Sequence, residues 1–190
     1  MPVTINGNGS ITGLSVGGLG SGVVNDTTLA SNAVTNAKIA SGAITSSSLP
    51  SGTVVQAKHL QFTTDLSGTA GSITDLTGFN LSITPTSASN DIIIILHATM
   101  GLNCDGRVGL KRNGTQIVEY LIGTPRSPYI EHDVGTFCGT YKDSPNSTSA
   151  VTYQVTVRVT GCGQNYHINE STSGSTDNGR SGMTLLEIAG

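Results

Sequence analysis

Tryptophan is absent from this 190-residue chain, aromatic residues make up only 4% of it and charged residues only 11%. Nine basic residues against twelve acidic ones leave a formal net charge of -3. That balance provides no basic footprint for a phosphate backbone and excludes nucleic acid as a partner. No long hydrophobic run exists. The longest, Ile92 to Leu96, is closed by Asp91 and His97, far short of the roughly 20 apolar residues of a membrane span. It reads as a buried strand, with no insertion into a membrane. The opening Met1-Pro-Val-Thr-Ile-Asn-Gly7 has neither a basic n-region nor a continuous apolar h-region, so secretion by a signal peptide is not indicated. Cys104, Cys138 and Cys162 are odd in number and share no close spacing. They read as reduced core thiols of a chain made in a cytoplasm, with no disulfide or metal role.

Chemistry-bearing motifs are equally scarce. Neither a Gly-x-Ser-x-Gly elbow nor a distinctive cysteine box occurs, and these are the sequence marks of nucleophilic catalysis. The four histidines, His59, His97, His132 and His167, form no His-x-His or His-x-x-x-His pair that would hold a metal from one element. The expectation is a non-enzymatic protein without metal or cofactor.

What the chain has in abundance is Gly (25), Ser (22) and Thr (26), together 73 of its 190 residues. Leu, Ile, Val and Phe still supply 46 residues, enough for one modest core. Their distribution divides the chain. Residues 1–58 contain one acid (Asp26), two bases (Lys38, Lys58) and no aromatic, and so cannot close a conventional core. They carry a repeat instead: Leu14, Leu19, Val24, Leu29, Val34, Ile39, Ile44, Leu49 and Val54 follow one another at intervals of five. In tens, Leu19-Gly-Ser-Gly-Val-Val24, Leu29-Ala-Ser-Asn-Ala-Val34, Ile39-Ala-Ser-Gly-Ala-Ile44 and Leu49-Pro-Ser-Gly-Thr-Val54 align without a gap. A period of five fits neither a helix face nor a flat strand. The small residues two before each apolar one (Gly22, Asn32, Gly42, Gly52 among them) invite a wound or kinked backbone. Two arrangements bury such a ridge: a solenoid within one chain, or an extended chain packed against identical ridges of sister chains. Nine pentads give a solenoid only about two coils, too few for stable stacking, so the symmetric oligomer is the preferred expectation.

Residues 59–190 read as all-β. Alternation and turn signals place strands near 59–63, 80–85, 91–100, 107–111, 116–121, 132–141, 150–160, 166–170 and 183–188. Asn113-Gly114 between alternating runs predicts a two-residue hairpin. Tyr153, Val155, Val157 and Val159 alternate with polar residues, which predicts one buried and one wet face. Eight or nine strands in this length predict a jelly-roll-like β-sandwich, preceded by an extended, repeat-containing N-terminal attachment and stalk segment.

The decads, above all Leu29-Ala-Ser-Asn-Ala-Val-Thr-Asn-Ala-Lys-Ile-Ala-Ser-Gly-Ala-Ile-Thr45, resemble stalk repeats in fibre proteins of tailed bacteriophages, including marine and cyanobacterial phages. The opening Ile5-Asn-Gly-Asn-Gly-Ser-Ile-Thr-Gly-Leu14 is similar to the N-terminus of that group. Thr140-Tyr-Lys-Asp-Ser-Pro145, Thr152-Tyr153 and Met183-Thr-Leu-Leu-Glu-Ile-Ala-Gly190 resemble the terminal domain of phage fibres and related virion proteins. The resemblance implies a homotrimer in the virion whose N-terminal segment docks on other virion proteins of the tail. A distal sandwich would then meet the host surface. A capsid-bound decoration protein or head fibre would use the same trimer, and a free sugar-binding module is the third reading. The ridge would bury Leu19, Val24, Leu29, Val34, Ile39, Ile44, Leu49 and Val54 between copies. Receptor contact, with a host-surface glycan as the expected ligand, would use loops 123–132, 142–149 and 171–181, where Arg126, Tyr129, His132 and Arg180 have the ring-stacking and planar hydrogen-bonding chemistry that sugars require.

Overall fold

The computed structural model describes residues 4–5, 11–12, 24, 29–45, 48–102, 105–122, 135–170 and 179–190. Two compact units divide the chain, Met1–Ile44 and Thr45–Gly190. The first contains a two-residue antiparallel pair, β1 (Thr4–Ile5) and β2 (Ile11–Thr12), with Thr4 opposite Thr12. The second unit begins before the boundary at residue 58 expected from composition. Its first long strand already starts at Val54, because the C-terminal strand supplies an antiparallel partner from there on.

That unit contains β3 (Val54–Phe62), β4 (Leu66–Thr69), β5 (Thr74–Ile83), β6 (Asp91–Leu102), β7 (Asp105–Arg112), β8 (Thr115–Leu121), β9 (Gly135–Asp143), β10 (Val151–Thr160), β11 (Asn165–Ile168) and β12 (Ser181–Ile188). One sheet runs β5-β10-β7-β8. The other runs β3-β12-β6, with β9 on β6 and the short β11-β4 pair continuing from the far end of β6. Without that short pair, eight long strands remain, and they pair first with last: β3 with β12, β5 with β10, β6 with β9 and β7 with β8. A long antiparallel hairpin rolled into two layers has this pairing, which is the jelly roll.

Alternation drives the layers together. Ile92, Ile94 and Leu96 of β6, Met183 and Leu185 of β12, and Tyr153, Val155, Val157 and Val159 of β10 are all buried. Phe62 and Phe79 stack between the sheets with ring centroids 4.6 Å apart. At the β7–β8 turn Asn113 and Gly114 take φ of 48° and 85°, as the Asn-Gly pair predicts.

Three expectations change. Strand β5 begins at Thr74 rather than near residue 80. Gly78, at φ 81°, lies within a register shift against β10 that breaks the alternation there. Strand β4 was not expected, since it contains one large apolar residue; pairing with β11 creates it, and the Tyr166 ring covers Gly68. Cys138 is an exposed free thiol rather than a core one, because it faces outward on the outermost strand β9, opposite His97.

Candidate functional site

From Leu29 onward each pentad of the repeat closes one turn. The amide of Ala33 donates to the carbonyl of Ala30 at 2.9 Å, Lys38 to Thr35 at 2.9 Å, Ala43 to Ala40 at 3.0 Å, Ser48 to Thr45 at 2.9 Å and Thr53 to Pro50 at 3.2 Å. Two turn types alternate. Asn32, Gly42 and Gly52 take φ of 62°, 78° and 89° at the third position of their turns, behind Ser31, Ser41 and Ser51. A positive φ at that position alone defines type II, which selects Gly or Asn there. The intervening turn at Asn36–Lys38 is 3₁₀, and Lys38 Nζ reaches back to the Ala33 carbonyl at 2.7 Å. The decad is thus a pair of unlike turns. The backbone is wound as the small residues suggested, and no continuous strand forms at residues 29–45.

Val34, Ile39, Ile44 and Leu49 each sit at the joint between two of these turns, and no residue of 29–45 is buried. Val24, Leu29, Val34, Ile39, Ile44 and Val54 are between 40% and 59% exposed. Only Ile73, Ile95 and Leu121 join them as exposed large hydrophobic side chains among the described residues, so the exposure is concentrated on the ridge. Leu49 is half-buried, and Leu19 lies outside the described residues. The last type II turn is seated on the sandwich: Gly52 N donates to the Ala189 carbonyl at 2.8 Å and Ala189 N to that of Thr53 at 2.9 Å.

Of the expected receptor-loop residues, Arg126, Tyr129 and His132 lie outside the described residues. Arg180 is exposed and, with Thr63, Asp65 and Gly179, lines an open polar depression. A buried residue that the sequence did not disclose shapes this end. Asn169, at φ 62°, donates through Nδ2 to the carbonyls of Phe62 and Thr64 at 3.1 and 3.0 Å. Its Oδ1 accepts from Ser181 Oγ at 2.7 Å. Ser181 Oγ accepts in turn from Thr99 N, and the Arg180 carbonyl from Thr99 Oγ1, each at 3.0 Å. The only sequence mark of this hub is the tolerance of Asn for the left-handed region.

The two sheets present unlike outer faces. On the β5-β10-β7-β8 sheet, Arg158 forks onto Glu119, with Nε–Oε1 at 2.9 Å and Nη2–Oε2 at 2.5 Å. Arg107 shares that carboxylate at 3.3 Å, while its buried Nε has no partner among the described residues. Lys111 pairs with Asp75 beside Asn80, Gln154 and Thr156. Across the β3-β12-β6-β9 face run the rows Ala57–Leu186–Ile93–Lys142 and His59–Thr184–Ile95–Thr140. Lys142 at that rim pairs with Asp91 at 2.7 Å. This bond, with a second from Ser144, holds the Asp91 carboxyl below its usual range.

Among the described residues no three His, Cys, Asp or Glu side chains converge as a metal site requires. No described helix is long and apolar enough to cross a membrane. His167 and Glu170 meet at 3.2 Å, which joins one turn to itself.

No family model and no curated protein matches this chain. Solved structures are similar at a distance. Dimeric latent PorU from Porphyromonas gingivalis is 10% identical with a TM-score of 0.37, over 73% of this chain and 11% of that one. The EclA C-terminal domain, a sugar-binding protein, is 16% identical with a TM-score of 0.32, over 62% of this chain and 77% of that one. A structure of infectious bursal disease virus, Gt strain, is 8% identical with a TM-score of 0.36, over 72% of this chain and 38% of that one.

Proposed function

We propose that the chain is a non-enzymatic virion structural protein, a homotrimeric bacteriophage tail fibre that docks on the virion by its N-terminal segment and presents the sandwich to the host surface. The observation that carries the reading is the exposed ridge. Val24, Leu29, Val34, Ile39 and Ile44, five residues apart, stand 40–59% exposed, and Val54 follows beyond the half-buried Leu49, on a backbone that from Ala30 onward turns on itself once in every pentad. Burying one such side chain is worth about 1.5–3 kcal/mol. A segment with no buried residue at 29–45 gains that only from another surface. Identical ridges of sister chains supply it at every level at once, and three copies of each distal loop give avidity to weak contacts with a repeated glycan.

The test is the solution mass of the full-length chain by light scattering, before and after Val34→Asp, Ile39→Asp and Ile44→Asp are combined. The expected masses are about 58 kDa, three times 19.4 kDa, for the native chain and 19.4 kDa for the variant. A native protein that runs as one chain, or a variant that stays trimeric and protease-resistant, removes the ridge mechanism. Labelled antibody on intact particles then separates a tail position from the capsid surface.

A further inference from the structure

Most charged side chains of the sandwich already have a partner. Lys111 holds Asp75, Lys142 holds Asp91, Arg112 holds Asp143, Arg107 and Arg158 share Glu119, and His167 meets Glu170. Asp65 and Arg180 differ. Both are exposed, neither side chain has a hydrogen-bond or ion-pair partner among the described residues, and both line the polar depression with Thr63 and Gly179. An acid and a base thus face one hollow without neutralising each other.

The backbone on both sides of that hollow is fixed by one buried residue. Asn169 Nδ2 holds the carbonyls of Phe62 and Thr64, which flank Thr63 and lead into Asp65. On the other side Gly179 N donates to the Asn169 carbonyl at 3.1 Å, and the Arg180 carbonyl accepts from Thr99 Oγ1. Gly179 passes so close that a Cβ there would lie 2.7 Å from Asn169 Cα, a separation that real Cβ atoms do not show, so glycine is what lets Arg180 approach the 63–65 segment. Asn169 and Ser181 beneath are both 0% exposed. The two charges are therefore carried on backbone that a ligand does not have to order, which removes part of the cost of binding.

We infer that this depression is a subsite for adjacent hydroxyl groups of a neutral sugar, an inference that rests on the adhesive role proposed above and names its point of contact. The Asp65 carboxylate only accepts, the Arg180 guanidinium only donates, and the Thr63 hydroxyl does either. A sugar hydroxyl is both donor and acceptor, so neighbouring hydroxyls satisfy the acid and the base together through charge-assisted bonds. A ligand of one charge would be opposed by Asp65 or by Arg180. A zwitterion would rely on exposed ion pairs, which are worth little. No aromatic side chain lines the hollow, so the sugar is met by its hydroxyl edge and not by its ring face. One such site binds weakly, and three copies on a fibre supply the avidity that adhesion needs.

Saturation-transfer NMR on the full-length protein tests this, with millimolar methyl glycosides of glucose, galactose, mannose and rhamnose as probes and phosphocholine as the zwitterionic comparison. The expected result is transfer to at least one glycoside, reduced several-fold in Asp65→Ala and likewise in Arg180→Ala. Both variants are expected to melt as the native protein does, since neither side chain has a partner to lose. Transfer to none of the glycosides overturns the inference. So does transfer that both variants retain, which places the sugar elsewhere, and so does transfer to phosphocholine alone, which makes the hollow a site for a zwitterion. The solution mass separates this outcome from the fibre reading. A three-chain protein that binds no glycoside keeps the ridge and removes the subsite, whereas a one-chain protein that loses glycoside binding in both variants keeps the subsite and removes the trimer.

Discussion

Tyr153 Oη donates a hydrogen bond to Asp143 Oδ2 at 2.6 Å, joining a central strand of one sheet to an edge strand of the other inside the sandwich. The same carboxylate accepts from Arg112 Nη1 at 2.9 and 3.1 Å, so β7, β9 and β10 are clasped at one point. Burial first, and the adjoining Asp143 carboxylate second, push the Tyr153 phenol well above its ordinary range. The phenol therefore stays a neutral donor wherever the protein is folded.

Replacing Tyr153 by Phe keeps the ring in the core and deletes only this donor. A hydrogen bond to a charged group contributes about 1.5–3 kcal/mol, and Arg112 remains to satisfy part of Asp143, which places the expected loss at the lower end. The urea midpoint is expected to fall with an unchanged slope. An unmoved midpoint would show that Arg112 alone satisfies the carboxylate.

Glu187 is a second buried carboxylate, and its partners among the described residues are neutral donors. Its oxygens accept from Gln56 Nε2, Asn90 Nδ2, Thr86 Oγ1 and Thr86 N, which ties β3 and the β5–β6 loop to β12. Burial pushes its carboxyl up, but the bonds from Gln56, Asn90 and Thr86 together outweigh it and hold Glu187 below the usual range. A carboxyl depressed in the folded state contributes stability above its unfolded value of about 4.3, lost as pH falls through the lower folded value. Glu187→Gln is expected to be less stable at pH 7, and its deficit should shrink as pH drops below about 4.3. Thermal melts of both proteins from pH 7 to 3 measure the difference. A deficit constant with pH would mean that lost geometry, not charge, sets the cost.

What the sequence disclosed follows the range of the interactions involved. Strand β10 was legible because Tyr153, Val155, Val157 and Val159 report their burial through local alternation, and the Asn113-Gly114 turn needs only its own two dihedrals. The ridge was legible because five-residue turns repeat, down to the Ser-Gly or Ser-Asn pair of every second one. The hubs at Asn169 and Glu187 were not, since their partners lie as far as 107 and 131 residues away in the chain. Nor was Ile95 separable from Ile94 within one apolar run. Which of the two faces outward is decided by register with Leu185 and Thr184 of β12.

Gly42 tests whether the repeat is built of turns or merely of small residues. At φ 78° with nothing among the described residues within 4 Å of an added side chain, it forbids a substitution by conformation and not by crowding. Asn32 holds the equivalent position of the preceding decad at φ 62°. Gly42→Asn is therefore expected to be tolerated, while Gly42→Val incurs about 1–2 kcal/mol for the left-handed region in each chain. Lys38 and Lys58 are the only basic residues in the first 58, so trypsin reads this segment at two known bonds. Faster cleavage after Lys38 in Gly42→Val, with native resistance in Gly42→Asn, is the expected pattern. Equal cleavage in both would mean that the type II turn contributes nothing to the order of the stalk, and that Gly42 is there only to let neighbouring surfaces approach.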